Sequence, residues 1–436
     1  MKQILVVCPV ERDIRELTRI SKKNNLYSFL YHGFSDSELQ QLSKDLERGT
    51  HSIKQLMGII TSRYQSQHHK WVKPLSSIDA VLYTSDYPGS AFASILAENL
   101  GVIGPNPEIV IRSQHKYYAR LDQAKHVPEA VPSFFVLDPL NTYAQHTIPL
   151  PFPFFIKPVK SFFSIGAQVV ENYQQLQTIL KNGHHLEKFL IPFSHLLKTY
   201  VSCPISPSCF IAEEWLHGTQ VTLEGFVSAG RVIIIGIVDS IMFPNTISFA
   251  RFQYPSSLDT AILQRMENIA IKYITGIGLN NSFFNIEFMY TPQTDRIWII
   301  ELNPRMVSQF ADLYEKVDGI NTYDLLLQLV SGQQTIKKQG RGKYNFAASC
   351  VLRVFQDHLV KKIPSQQSIN RLLKLFPDAR IELCATPGKK LSQELQDGKS
   401  FRYGLIHIGV QHKDEIDKAF ETCKQILNFT LKPLIG

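Results

Sequence analysis

The stretch RIWIIELNPRM, residues 296–306, decides how this chain is interpreted. Residues 297–300 are four strong strand formers that run directly into Glu301, Asn303 and Arg305. Alternate residues of a strand point to the same face, so these three polar side chains share one face. A buried strand ends in a carboxylate, an amide and a guanidinium only where a partner receives them. We interpret that partner as a metal ion with a phosphate group.

A second acidic strand precedes this one. The segment FNIEF carries Glu287, and the turn TPQTD, residues 291–295, connects it to the opening stretch. If the two strands pair through that turn, Glu287 and Glu301 lie side by side on one face. Two adjacent carboxylates repel each other unless a cation sits between them. Oxygen ligands of this kind suit Mg²⁺, or Mn²⁺ in its place. The alternative is a salt-bridge cluster at a sheet edge.

Two lysines are candidate phosphate ligands. Lys116 lies early in RSQHKYYARL, a predicted helix, and Lys157 ends the apolar run PFFIKP. An ammonium group at either place can reach into a cleft and bind phosphate oxygens. The loop VKSFFSIGAQ follows, where Ser164 and Gly166 let backbone N–H groups approach a phosphate. A solvated lysine and a plain hairpin turn remain the alternatives.

The segment IAEEWLHGTQ, residues 211–220, is typical of a hinge between two lobes. An adenine needs a polar partner for its amino group and apolar side chains on its faces. Gln220, or Glu224 on the strand that follows, is placed to reach ribose hydroxyls or substrate. The candidate adenine contacts in this segment are Glu213, Glu214, Trp215 and Leu216.

Length and composition describe an ordinary globular protein. The chain has 436 residues, which predicts two or three domains, and its 46 basic and 38 acidic residues give a net charge of +8. The basic residues are scattered, so nucleic-acid binding is not favoured. The six cysteines form no CxxC pair and are expected to be reduced thiols. No apolar run reaches the length of about 18 residues that spans a bilayer. We expect a cytoplasmic protein.

Strands and helices alternate over the first hundred residues, which predicts a Rossmann-like parallel sheet. Strands are expected at QILVVCP (3–9), MGIITS (57–62) and IDAVLYTS (78–85). No GxGxxG sequence follows the first strand, so a dinucleotide site is not expected there. The predicted domains are residues 1–105, residues 106–335 with a small lobe at about 130–212, and residues 336–436, which complete the large lobe.

Taken together, these segments resemble the ATP-grasp superfamily. The resemblance rests on residues 86–120, on FFIKPVKSFFSIGAQVV (154–170), on IAEEWLHGTQVTLEGFV (211–227), and on FFNIEF with IIELNPR. The four segments occur in the order that the family has. The resemblance implies an α/β fold in which two α+β lobes clasp ATP, preceded by a Rossmann-like parallel-sheet domain.

The resemblance also implies roles for the candidate residues. Lys116 and Lys157 would bind ATP phosphates, residues 213–216 adenine, and Gln220 the ribose, where many members have Glu. Arg305 would steady the transferred phosphate. The implied Mg²⁺ ligands are Glu287, Glu301 and Asn303. The chain departs from relatives in Gln220 and in KSFFS, which stands where relatives usually have more glycines.

The branch most similar in sequence pattern is the amino-acid and dipeptide ligases with their biotin-carboxylase-like neighbours. It implies that a carboxylate is activated as an acyl-phosphate and then attacked by an amine, with small molecules as partners and no nucleic acid or membrane. Arg353 is a candidate grip for a substrate carboxylate. Dimerisation is implied by the resemblance alone. The alternatives are a bicarbonate-activating enzyme of the biotin-carboxylase type and a non-catalytic ATP-binding sensor.

Overall fold

The computed structural model describes residues 1–65, 78–161, 165–183, 187–202, 205–333, 340–394, 396 and 399–434. Its first region contains a three-stranded sheet in the order β2-β1-β3, with both pairings parallel. Its strands are β1 (Lys2–Val7), β2 (Tyr27–His32) and β3 (Ala80–Tyr83). Its helices are α1 (Glu11–Asn24), α2 (Asp36–Glu47), α3 (Ile53–Gln65) and α4 (Gly89–Leu100).

The strand expected at MGIITS is wrong, because these residues lie inside α3. The buried residues Ile53, Leu56, Met57 and Ile60 recur at the spacing of one helix face. The apolar run is therefore the buried side of an amphipathic helix. The parallel sheet predicted for this region is confirmed.

A four-stranded antiparallel sheet follows, in the order β4-β7-β5-β6. Its strands are β4 (Phe134–Leu137), β5 (Phe154–Pro158), β6 (Gln168–Val170) and β7 (Phe210–Glu214). The helices of this region are α5 (Pro107–Ser113), α6 (Lys116–His126), α7 (Tyr173–Asn182) and α8 (Glu187–Leu196). We call this four-stranded sheet the small sheet.

An eight-stranded antiparallel sheet, the large sheet, has the order β12-β11-β8-β9-β10-β13-β16-β15. Its strands in chain order are β8 (Thr219–Ser228), β9 (Arg231–Met242), β10 (Phe249–Tyr254), β11 (Ser282–Thr291), β12 (Arg296–Asn303), β13 (Phe346–Val354), β15 (Arg380–Leu383) and β16 (Phe401–Val410). Strands β14 (His358–Lys362) and β17 (Thr430–Pro433) form a separate pair. The remaining helices are α9 (Thr260–Ile277), α10 (Ala311–Asp318), α11 (Thr322–Val330), α12 (Gln366–Leu375) and α13 (Glu415–Leu427).

One buried apolar cluster joins the first region to the large sheet. It runs from Ile4 and Val6 of β1, through Leu326 of α11, to Phe283 of β11. Burial of this kind contributes roughly 25 cal/mol per Å² of apolar surface, so the cluster holds the parallel sheet firmly against the large sheet. The carboxyl end of β3 is thereby fixed near the end of β12.

A cleft of about 1920 Å³ lies where the small sheet, the large sheet and the segment after β3 meet. The chain passes from the small sheet to the large sheet through residues 215–218, between β7 and β8. Among the described residues, no helix is both long and apolar enough to cross a membrane. The cleft is the feature that the rest of the architecture positions.

Candidate active site

The two acidic strands pair as an antiparallel hairpin. Glu287 of β11 lies directly opposite Glu301 of β12, and Asn285 lies opposite Asn303. The register shifts by one residue beside Glu287, where β12 bulges. Bulges re-aim side chains next to functional sites. The hairpin therefore brings both carboxylates to one side, facing the cleft.

The two carboxylates differ in their protonation. Burial, together with the charge of Glu301, raises the pKa of Glu287 to about 7. Burial would also raise the pKa of Glu301, but the ammonium groups of Lys116 and Lys157 hold it below its ordinary value. Glu301 is thus ionised at neutral pH, whereas Glu287 carries its charge at a cost.

The donor set fits a divalent cation that prefers oxygen. The amide nitrogen of Asn303 donates to Asn285 Oδ1 over 3.2 Å, which fixes the Asn303 amide at the edge of the carboxylate pair. Among the described residues, no group of three or more His, Cys, Asp or Glu side chains could hold a metal. Two carboxylates and one amide leave positions for water and phosphate oxygens, as Mg²⁺ requires.

The two predicted lysines lie on either side of Glu301. Lys116 is the first residue of α6, and its Nζ is 2.9 Å from Glu301 Oε1. Lys157 is on β5, and its Nζ is 2.8 Å from Glu213 Oε2 and 3.4 Å from the carbonyl oxygen of Ile300. Burial lowers the pKa of Lys157, although Glu213 opposes that change. Lys116 serves as the counter-ion of Glu301.

A third lysine, Lys160, was missed by the sequence analysis. It is 5% exposed and lines the cleft, with Nζ 5.2 Å from the ring centre of Tyr87 and 4.9 Å from that of Phe193. Burial and the charge of Lys116 lower the pKa of Lys160 to about 7. The segment KPVK, residues 157–160, was the available signal, since a second lysine follows Lys157 directly after the apolar run.

Arg305 is held by an acidic partner that the sequence did not reveal. Its Nε donates to Asp86 Oδ1 and its Nη2 to Asp86 Oδ2, each over 2.8 Å. Burial would raise the pKa of Asp86, but Arg305 and Lys160 keep it below its ordinary value. Asp86 follows β3, and the carboxyl end of a parallel strand is where α/β sheets place ligand-binding groups.

The side chain of Glu213, predicted as an adenine contact, is paired with two cations. It is 4% exposed; Oε1 accepts from Arg120 Nε over 2.7 Å and Oε2 pairs with Lys157. Burial alone would raise the pKa of Glu213, but the two cations hold this pKa at about 2. Both carboxylate oxygens are occupied, so this side chain positions Lys157 instead of meeting a base.

The remaining hinge residues line the cleft where the two sheets meet. Glu214, Trp215 and Leu216 all border it, and Trp215 is 37% exposed with its ring centre 4.3 Å from that of His217. Gln220 donates from Nε2 to Glu287 Oε2 over 2.9 Å, beside the carboxylate pair. Its role at the ribose stays a prediction.

Two further candidates lie outside the cleft. Glu224 is fully buried and is not among the residues that line the cleft; its Oε1 accepts from the backbone of Val307. Its role as a ribose or substrate contact stays a prediction. Gly166 has φ of +77°, and a Cβ there would lie 2.9 Å from Pro158 Cγ. This glycine is required by the turn, not by contact with the cleft.

Two predicted residues remain, one in the loop after β5 and one on β13. Ser164 lies outside the described residues. Arg353 lines the cleft from β13, and its Nη1 donates to Ser400 Oγ. It is far along the large sheet from the carboxylate pair, with β8, β9 and β10 in between. Its role toward a substrate carboxylate stays a prediction.

Comparison with known proteins agrees with this architecture. Residues 150–313 match the family model of the ATP-grasp domain. The L-amino acid ligase of Bacillus licheniformis superposes with a TM-score of 0.69 at 14% identity, covering 99% of this chain and 98% of that one. Biotin carboxylase from Campylobacter jejuni superposes with a TM-score of 0.62 at 14% identity, covering 99% and 92%. At these identities the likeness establishes the fold.

A sequence relative is the carbamoyl phosphate synthase large chain of Acidobacterium capsulatum, 24% identical over 279 residues. The match covers 63% of this chain but 23% of that relative, so the chain spans about a quarter of its length. The class that these findings define is the ATP-grasp fold, with a parallel-sheet first domain. The ATP-grasp fold predicted from the sequence is confirmed.

Proposed function

We propose that this protein is an ATP- and Mg²⁺-dependent ligase that joins a carboxylate to an amine by way of an acyl-phosphate. The observation that carries the proposal is the opposition of Glu287 and Glu301 to a set of buried cations in one cleft. Paired carboxylates without a bound cation are costly, and clustered ammonium groups are equally so. A magnesium–polyphosphate group satisfies both sets at once. The cations are Lys116, Lys157, Lys160 and Arg305.

The apolar border of the cleft at the sheet junction is suited to a purine. Phe155 and Val169 are paired across the small sheet, and Leu216 and Met289 border the cleft from the large-sheet side. A flat base between such side chains loses water from both faces and gains close contact. The polyphosphate then extends from this junction toward Lys157 and Lys116. We propose that Trp215 closes the outer edge.

Glu287, Glu301 and the Asn303 amide would hold Mg²⁺, which supplies charge neutralisation for phosphoryl transfer when it is bound. Lys116 now pairs with Glu301, and we propose that its ammonium turns to the phosphate oxygens once the metal replaces it. Lys157 is already oriented by Glu213, so it needs no such movement. Fixed donors of this kind favour the transition state because they pay no reorganisation when charge develops.

Arg305 and Lys160 lie where the acceptor meets the transferred phosphoryl group. Asp86 holds the Arg305 guanidinium by two of its nitrogens, which restricts its orientation. The acid oxygen attacks the terminal phosphorus and ADP leaves; the amine then attacks the carbonyl carbon, and phosphate leaves as that C–O bond breaks. Neither step needs a nucleophile from the protein. What the chain contributes is position, charge and exclusion of water.

The test is release of ADP and phosphate with Mg²⁺ and ATP, screened over amino acids, small carboxylates, amines and bicarbonate. Glu301→Ala removes a predicted metal ligand, and Glu47→Ala, at an exposed site on α2 outside the cleft, is the matched control. Release that requires both an acid and an amine, and that only Glu301→Ala abolishes, supports the ligase. Release that requires bicarbonate alone favours the carboxylase alternative. ATP binding without release from any pool defeats both and favours a sensor.

A further inference from the structure

The end of the cleft away from the hinge is walled by apolar side chains. Val351 of β13 lies opposite Leu405 of β16, and Phe252 of β10 lies opposite Ser349. Since cross-strand partners and alternate residues share a face, these side chains all point to the same side of the large sheet. Phe252, Val351 and Leu405 line the cleft. We call this wall, together with Phe310, Ile247 and Phe355, the apolar compartment.

The segment after β12 connects the apolar compartment to the phosphate-binding end. Arg305 lies beside the carboxylate pair, and five residues later the Phe310 ring packs 5.1 Å from Phe252, centre to centre. Between them, Gln309 Nε2 donates to Ser349 Oγ over 2.9 Å, which ties the segment to β13. A molecule whose carboxylate lies at Arg305 therefore has its next atoms directed along this segment toward Phe310.

Two apolar side chains at the mouth of the compartment lack full cover. Ile247, in the loop between β9 and β10, is 41% exposed, and Phe355, just after β13, is 45% exposed. Both line the cleft. Large apolar side chains that converge on a cavity and remain exposed are typical of a ligand surface.

Two of the arginines at this end, Arg12 and Arg353, already have partners in the chain. Arg12 donates from Nε to Glu382 Oε1 over 2.6 Å and from Nη1 to Ser308 Oγ over 3.0 Å. Arg353 donates to Ser400 Oγ. Because the Arg12–Glu382 pair is neutral as a unit, it adds little net charge beside the wall of Phe252, Val351 and Leu405.

From this arrangement we infer that the acid activated by the enzyme is an amino acid or related carboxylic acid with a large apolar side chain, aliphatic or aromatic, which occupies the apolar compartment. The inference rests on the proposed ligase function. The carboxylate lies at Arg305 and the side chain lies against Phe252, Phe310, Val351, Leu405, Ile247 and Phe355. Bicarbonate or a short acid leaves this wall in contact with water.

The experiment is isothermal titration of the full chain, saturated with Mg²⁺ and a non-hydrolysable ATP analogue, with L-phenylalanine, L-leucine and glycine. We expect the two large amino acids to bind at least about tenfold more tightly than glycine, because each buries a side chain that glycine lacks. Phe355→Ala and Ile247→Ala should each weaken L-phenylalanine binding by about fivefold and leave glycine unchanged. Both positions are exposed, so the variants are expected to fold. Leu375→Ala, 60% exposed on α12 and outside the cleft, is the control.

The outcomes separate this inference from the ligase proposal. Equal affinity for glycine and L-phenylalanine overturns the compartment, and so does ADP release that only short acids or bicarbonate elicit. Selective binding of the large amino acids with no ADP release in the presence of any amine supports the compartment and defeats the ligase. Selective binding with release supports both.

Discussion

Arg305 and Asp86 form a two-point ion pair, Nε to Oδ1 and Nη2 to Oδ2, each at 2.8 Å, between the end of β12 and the segment after β3. The pair connects the parallel-sheet region to the end of the large sheet that carries Glu287 and Glu301. Asp86 lines the cleft and its pKa is held low, so it is ionised throughout the neutral range. We infer that the first domain completes the active site by orienting this guanidinium.

Asp86→Asn should therefore reduce kcat by about ten- to a hundredfold while changing the KM for ATP less than threefold. The amide keeps the shape of the side chain but loses the charge and one acceptor, so Arg305 is less well oriented when charge develops. The measurement is steady-state ADP release at saturating acid and amine. An unchanged kcat would contradict the positioning role.

The matched control is Asp122→Asn. Asp122 forms an equivalent two-point pair with Arg112, over 2.7 and 2.9 Å, at a place that does not line the cleft. We expect a small loss of stability and no change of kcat. If both variants lose activity equally, the loss at Asp86 reflects general destabilisation.

Lys160 gives a prediction about proton uptake. Burial and Lys116 lower its pKa to about 7, so at pH 8 the side chain is mostly neutral. The negative charge of a bound nucleotide favours the ammonium form and raises that pKa, so nucleotide binding at pH 8 should be coupled to proton uptake. Titration of an ATP analogue in buffers of different ionisation enthalpy measures the number of protons taken up.

Lys160→Met should abolish most of this uptake and weaken nucleotide binding by about tenfold, because one of the converging cations is lost. Lys198→Met, at an exposed lysine on the helical segment after α8, is the control and should behave as the unmodified protein. Proton uptake that persists in Lys160→Met would assign the titration to another group, with Glu287 the next candidate.

The sequence predicted the parts of this site that depend on local pattern. The turn TPQTD predicted the hairpin between FNIEF and IIELNPR, but the opposition of Glu287 and Glu301 also depends on the one-residue bulge in β12, which the sequence did not reveal. The parallel first sheet followed from the alternation of strands and helices. The roles of Glu287, Glu301 and Asn303 as metal ligands stay predictions.

Contacts between distant segments could not be predicted in the same way. Asp86 meets Arg305 across 219 positions of the chain, and Arg120 meets Glu213 across 93. No periodicity of the sequence encodes such pairs, because they depend on how whole domains pack. The strand predicted at MGIITS was wrong for a related reason. A short apolar run is ambiguous between strand and helix until its packing is known. The burial of Glu224 could not be predicted either, because alternation gives the face of a strand but not what covers it.

The carboxylate pair predicts how stability depends on pH and metal. The pKa of Glu287 is raised from its ordinary value to about 7, so the folded protein binds more protons than the unfolded chain between roughly pH 4.5 and 7. Stability contributed by this group therefore falls as pH rises through that window and stays low above it. Glu287→Gln removes the cost, so without metal it should raise Tm at pH 8 by several degrees and change it little at pH 5.

With Mg²⁺ present, the unmodified protein should have the higher Tm at pH 8 and Glu287→Gln the lower. Added Mg²⁺ should raise the Tm of the unmodified protein at pH 8, because binding to the folded state alone stabilises it. The rise should be much smaller in Glu287→Gln, and Glu47→Gln should respond as the unmodified protein does. Equal Mg²⁺ stabilisation in Glu287→Gln would remove Glu287 from the metal site. Thermal unfolding by circular dichroism at the two pH values measures all of these differences.

A variant of Glu213 distinguishes a structural role of this side chain from a role in recognising the nucleotide base. It is 4% exposed and pairs with Arg120 and Lys157, so Glu213→Gln leaves two buried cations without their shared counter-charge. Removing one partner of such a cluster costs about 3 kcal/mol or more in free energy of unfolding. Urea denaturation measures this loss, with Glu47→Gln as the exposed control. Its pKa of about 2 means that the ionised form persists until strongly acid pH, so the loss should be the same at pH 6 and pH 8.

The same variant should also weaken ATP binding, because Lys157 loses the partner that orients it, and the weakening should extend equally to other nucleotides. Loss of discrimination between ATP and GTP at unchanged stability would instead restore the adenine contact that the sequence suggested. The comparison is decisive because a positioning residue acts through the phosphate end, which ATP and GTP share, whereas a base contact acts only where they differ.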